Sequence, residues 1–155
     1  MTDFTNKLRE IREKMWTTKP HEIEEMLDKQ KVLKDSWGSC FFPTLYAWEE
    51  SVAARNSLVV LRKTMLQNRD IDLNTVKQIV NNFLDLYVSY FRMTNLRETT
   101  ELFREASNAV SGIATREALI ELLEELVRYT GKLHYWIEPL MPWEQLIRAF
   151  DKATK

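Results

Sequence analysis

The chain has 155 residues, 45% hydrophobic and 29% charged, with a formal net charge of −1, the balance of a globular domain rather than of a disordered chain. Its single cysteine, Cys40, excludes an internal disulfide and any multi-cysteine zinc site. Three glycines and four prolines are too few for a turn-rich β architecture.

Taken in chain order, almost every segment has a helical period and none alternates as a strand does. Phe4, Leu8, Ile11 and Met15 form one stripe, predicting a first helix from about Asp3 to Trp16. Pro20 suits the first turn of a second helix carrying Ile23, Met26, Leu27 and Leu33, with Gly38 as its C-terminal cap. A long helix is expected over 43–68, with two apolar stripes that imply burial around much of its circumference. Asp72 can cap a second long helix over 73–94, whose Phe83, Leu84, Tyr87, Tyr90 and Phe91 make a broad aromatic face. Asn95 and Glu98 have the spacing of a capping box opening a fifth helix that Gly112 closes. Thr115 opens a sixth, rich in leucine and glutamate, and a last helix starts near Pro142. The expectation is one all-α domain, 1–155, a bundle of about six to seven helices with 43–68 and 73–94 at its centre.

The first twenty residues carry charges throughout, leaving no apolar signal-peptide core. The longest charge-free run, 36–48, is too short to cross a bilayer. A cytoplasmic protein without membrane contact is therefore expected. Residues 51–97 hold seven basic side chains against three acidic ones, whereas 98–127 hold seven glutamates against two arginines. Such a bipolar chain can present a basic face even though its total charge is near zero.

Arg55, Arg62 and Arg69 recur every seven residues, on nearly one helical face, with Lys63 beside them. This stripe can track a nucleic-acid backbone, or it can pair with the glutamate-rich helix inside the fold. Carboxylates near His21 (Glu24, Glu25, Asp28) and at Glu49 and Glu50 invite a metal reading. The Glu-x-x-His order used by carboxylate-bridged bundles is reversed here, and acidic residues suit early helical turns anyway. No metal or other cofactor is expected, and no phosphate loop or dinucleotide motif is present.

Two connections are apolar where polar loops are usual: Trp37 to Pro43, including Phe41 and Phe42, and Trp136 to Trp143, including Met141. They either plug the ends of the bundle or expose anchors for a partner.

Arg128 and His134 lie six residues apart in R-Y-T-G-K-L-H. The pair resembles the R-x(4–6)-H motif of the HEPN family, all-helical domains that often act as metal-independent ribonucleases. The resemblance implies that imidazole would exchange a proton and guanidinium would neutralise phosphate. It covers these seven residues and the helical class, and Tyr129 stands where the family commonly has a polar residue. Gly131 decides the geometry. On an unbroken helix, six residues place the two side chains about 120° and about 9 Å apart, so they would need a second subunit to converge. The alternative partner for Arg128 is Glu124, one turn earlier.

These readings favour a non-catalytic subunit or adaptor of a larger assembly. It would dock through the aromatic loops onto a protein partner or a second copy, and contact nucleic acid through the arginine stripe. Small helical subunits of CRISPR-type ribonucleoprotein complexes are comparable in size and class. The alternative is the HEPN-like ribonuclease.

Overall fold

A computed structural model describes residues 2–15, 18, 21–22, 25, 41–93, 96–138, 148 and 151–152, the side chains of 41–47 and 92–93 excepted. It is all-α. Five helices are defined: α1 (Asp3–Met15), α2 (Phe41–Gln67), α3 (Leu73–Met93), α4 (Arg97–Gly112) and α5 (Arg116–Ile137). The helices anticipated around 20–37 and beyond Pro142 fall largely outside the described residues.

Local chemistry sets most helix starts. The Asp72 carboxylate accepts from the Thr75 amide at 3.1 Å and from its hydroxyl at 2.8 Å, capping α3 as its sequence position foretold. Thr115 caps α5 by accepting from the Ala118 amide at 3.2 Å. The start of α4 departs from expectation. Its N-cap residue is Leu96, whose side chain makes no cap hydrogen bond, and Asn95, the anticipated cap, lies outside the described residues. The carboxylate of Glu22 reaches in instead, and its Oε1 accepts from the Thr99 amide (3.0 Å) and hydroxyl (2.9 Å). A helix start satisfied by a distant residue cannot be read from local spacing.

The helices pack as a closed ring: α4 on α3, α3 on α2, α2 on α5, α5 on α1, with a lighter contact from α1 back to α4. Leu58, Leu84, Leu119, Leu122, Leu123 and Val110 fill the centre and are fully buried. Beside them Tyr87, Phe91 and Phe103 lie in near-parallel planes, Tyr87 and Phe103 with centroids 4.6 Å apart and Phe91 and Phe103 5.4 Å apart. Offset stacks of this kind add to the area that each ring removes from water. Lys77 of α3 donates to the carbonyls of Ser111 (3.0 Å) and Ile113 (2.8 Å), tying α3 to the C-terminal end of α4.

Between α1 and α5 the contact is charged. Thr5, Leu8, Arg12 and Met15 are the buried face of α1. Arg12 Nε donates to Glu125 at 2.8 Å and Arg9 Nε donates to its other oxygen at 2.9 Å, with the Glu125 side chain only 2% exposed. Burial alone would raise the Glu125 pKa, but the hydrogen bonds from Arg12 and Arg9 outweigh it and hold the carboxyl below its ordinary value.

Candidate functional site

α5 runs without interruption through Gly131. The reason is visible on the facing helix. The guanidinium of Arg55 from α2 lies against the α5 backbone at this position, and a Cβ on Gly131 would stand 2.6 Å from Arg55 Nη2. Nη2 donates to the Val127 carbonyl at 3.3 Å. Glycine costs about 1 kcal/mol in a helix interior, and here it makes room for an arginine laid flat over the helix.

One turn further, His134 turns inward. Its Nε2 lies 3.4 Å from the Tyr87 hydroxyl of α3, and its ring centroid is 5.2 Å from that of Trp48 on α2. Thr130, on the same face of α5, bonds its own helix at the Leu126 carbonyl (2.7 Å). Arg55, Tyr87 and His134 thus converge from three helices on one seam, with Arg55, Gly131 and His134 each partly open to solvent and Tyr87 buried. Burial, helped by the charge of Arg55, lowers the His134 pKa from 6.5 to about 4. Burial likewise pushes the Tyr87 phenol up, against smaller opposing effects of Thr130 and Arg55. Near neutral pH the seam therefore holds one cation and two neutral rings.

This arrangement has a pH signature. His134 binds a proton more weakly when folded than when unfolded, so its contribution to stability is constant above pH ~6.5. It declines as pH falls towards ~4 and does not change further below that. The expected loss is between about 1 and 3 kcal/mol. Urea denaturation of the parent and of His134→Gln at pH 7 and pH 4.5 checks it. The difference between the two proteins should shrink or reverse at the lower pH, and a pH-independent difference would refute the burial.

The seven-residue motif separates on this framework. Arg128 is exposed and donates to Glu124 at 2.9 Å, one turn back, while His134 faces Tyr87 and Arg55. The arginine beside the histidine is Arg55, not Arg128. The arginine stripe is likewise divided. Arg55 and Arg62 turn towards α5, where Arg62 lies 3.7 Å from Glu124, whereas Lys63 and Arg69 are exposed. A partly exposed ion pair such as Arg62–Glu124 contributes about 0–1 kcal/mol.

Of the aromatic candidates, Trp136 belongs to α5 rather than to a loop and is 7% exposed, with Lys132 Nζ 4.8 Å above its ring. It is buried with the core rather than exposed. Phe41 and Phe42 form the first turn of α2, but their side chains, like Trp37, Met141 and Trp143, lie outside the described residues. His21 is exposed and pairs with Glu25 at 3.4 Å. Glu49 and Glu50 are exposed on α2. Among the described residues no group of His, Cys, Asp or Glu is arranged to hold a metal ion. None of the described helices is long and apolar enough to cross a membrane.

A second concavity lies between α1 and the start of α4. It has a volume of about 270 Å³, an acidic rim of Glu22, Glu98 and Glu105, and an apolar wall that includes Ile11 and Leu102. Burial raises the Glu22 pKa, against the hydrogen bonds from Thr99.

Sequence reasoning named Arg55 and His134 separately and did not bring them together. The available signal was Gly131 itself, a glycine in phase with a helix that had no need of a cap. Glu125 was also missed, although it keeps the helical phase of Leu122 and Tyr129, and Arg12 keeps that of Leu8 and Met15.

An all-helical bundle with a polar seam between three of its helices is thus the class of protein defined. Residues 1–140, which contain all five helices, match the family described as the cucumopine synthase C-terminal helical bundle domain, and the chain belongs to that family. No curated protein and no solved structure matches the chain.

Proposed function

We propose that this chain is a non-catalytic helical module of a larger assembly, docking a catalytic partner along the outward face of α2. The observation that carries this reading is the character of that face. Ala53, Asn56, Val60, Thr64 and Gln67 recur at helical spacing over about 20 Å and are all exposed and uncharged, with Lys63 at the edge of the stripe and Glu49 one turn before it. Val60 is 61% exposed, and Leu66 beside the stripe is 50% exposed. The outward faces of α1 and α4, in contrast, are dense in charge: Lys7, Glu10, Glu13 and Lys14 on one, Glu98, Glu101, Arg104 and Glu105 on the other. A long, sparsely charged helix face beside densely charged ones is suited to contact with another protein.

The family description agrees with this reading, because a C-terminal domain of a synthase works beside the rest of that enzyme. Trp37, Met141 and Trp143 remain the sequence's own candidates for further anchors. The ribonuclease alternative draws no support from the geometry, since Arg128 and His134 face different neighbours. A nucleic-acid partner is less well supported too, with two of the four basic side chains turned towards α5.

A photo-crosslinking residue placed at position 56 or 60 of the full chain, in its native cell, tests the proposal. Both positions should capture one and the same enzyme, a control at Asn108 on α4 should not, and Val60→Asp should abolish capture with the helical signal unchanged. Equal capture from Asn108, or none from α2, would overturn the docking face. Cleavage of single-stranded RNA by the purified chain, lost in His134→Ala, would overturn the non-catalytic assignment.

A further inference from the structure

Two helices of this chain start under the same pair of hydrogen bonds in different surroundings. At α3 the Asp72 carboxylate accepts from the Thr75 amide and hydroxyl. At α4 the Glu22 carboxylate accepts from the Thr99 amide and hydroxyl. Asp72 is exposed and adjoins its helix, whereas Glu22 is partly buried and comes from the connection between α1 and α2. A carboxylate at a helix N-terminus ordinarily favours its charged form. Asp72 behaves so: the hydrogen bonds from Thr75 hold its carboxyl below its ordinary value. Glu22 goes the other way, because burial raises its pKa, the bonds from Thr99 only oppose the rise, and the charge of Glu98 adds to it.

The geometry explains the contrast. Glu22 Oε1 takes both bonds from Thr99, while Oε2 is buried with no donor. A charged oxygen shut away from water without a donor is costly. Glu22 stands on the wall of the cavity between α1 and α4, beside the apolar Ile11 and Leu102. The titratable and charged groups that share this cavity are Lys7 of α1, Glu98 and Glu105 of α4, and the Tyr129 phenol of α5. Lys7 is bound to Glu105 at 2.5 Å, and burial keeps the Tyr129 phenol neutral. Glu22 therefore meets the like charge of Glu98 without a cation of its own. One proton on Glu22 removes both the buried charge and the repulsion, and it leaves Oε1 as an acceptor for Thr99.

We propose that the Glu22 contact with the start of α4 is a proton-sensitive clasp, fastening the chain between α1 and α2 more tightly when the carboxyl is neutral than when it is charged. A carboxyl that holds its proton more strongly in the folded state contributes stability that is complete below its unfolded value of about 4.5. That contribution is lost as pH rises through the higher folded value. The direction is opposite to that of Asp72 and Glu125, whose carboxyls are held low. The clasp uses no residue of α2, so it and the docking face can fail separately.

Hydrogen exchange of the Thr99 amide, followed by NMR in the full-length protein and corrected for the intrinsic rate, reads the clasp directly. The Thr75 amide under Asp72 serves as the internal control. Between neutral pH and about pH 4.5, protection of Thr99 should rise on acidification while that of Thr75 stays level. The carboxyl carbon of Glu22 should titrate with a midpoint above 4.5. Glu22→Gln is uncharged at every pH and keeps the acceptor, so its Thr99 protection at neutral pH should equal or exceed the parent's and should not vary with pH. Glu22→Ala should lose about fivefold in protection at the acid end, the usual worth of a cap. Protection of Thr99 that stays level or falls on acidification would overturn the proposal. So would weaker protection in Glu22→Gln than in the parent at neutral pH, which is the behaviour of an ordinary carboxylate cap. No loss in Glu22→Ala would remove the contact itself.

Discussion

Replacing Glu125 by alanine is expected to destabilise the fold by about 3–5 kcal/mol, enough to unfold a marginal domain. The carboxylate is the common acceptor for Arg9 and Arg12, and Arg12 is itself only 8% exposed. Its removal leaves a buried guanidinium without a counter-charge, in the contact that holds α1 on α5. The cost arises from the abandoned charge rather than from the value of the pair. The double variant Arg12→Met with Glu125→Leu should therefore recover most of the loss. Urea denaturation of the single and double variants at neutral pH decides this. The pH dependence has a definite sign. Because the folded carboxyl sits below its ordinary value of 4.5, its contribution is complete at neutral pH and is lost as pH falls below about 4.5. Parent and Glu125→Gln should converge in stability under acid conditions. A gap that stays constant to pH 2 would mean the carboxylate is not held by the arginines.

Phe103→Ala should cost about 3–5 kcal/mol, the usual range for emptying a large aromatic site in a packed core. Phe103 is 1% exposed and packs against both Tyr87 and Phe91, which also touch each other, with Tyr129 tilted against it at 5.8 Å. The variant does more than open a cavity. Tyr87 reaches His134 with its hydroxyl while its ring is stacked against Phe103, so loss of the stack frees Tyr87 to move. The His134 pKa should rise from about 4 towards 6.5 as water enters. Phe103→Leu, which refills much of the volume, should recover part of the stability. Thermal denaturation and the imidazole titration together test the coupling, and an unchanged His134 titration in Phe103→Ala would break it.

Much of the architecture was legible because helices announce themselves through apolar periodicity. The stripes at 43–68 and 73–94 became α2 and α3 within two residues at each end, and Asp72 and Thr115 cap where a short polar side chain precedes a periodic run. The start of α4 includes a contact that local spacing does not encode. A cap is a requirement of the backbone, and any carboxylate near in space can meet it, as Glu22 does from 77 positions away in the chain. The charged core contact escaped notice because glutamate and arginine are ordinarily assigned to the surface, even when their phase points inward.

The candidate site follows the same division. From its sequence alone the chain is an all-helical protein with an arginine stripe, an acidic helix and a glycine in helical phase, because these depend on periods of a few residues. Tertiary structure decided which arginine meets His134. Arg55 and His134 are separated by 79 positions, and only the packing of α2 on α5 across Gly131 brings them to one seam beside Tyr87. The motif pair Arg128 and His134 is near in the chain and divergent in space, since a helix turns neighbours six residues apart onto different faces. Local sequence determines the helices. The close approach of the Arg55 side chain to the α5 backbone, which a missing Cβ permits, determines the site.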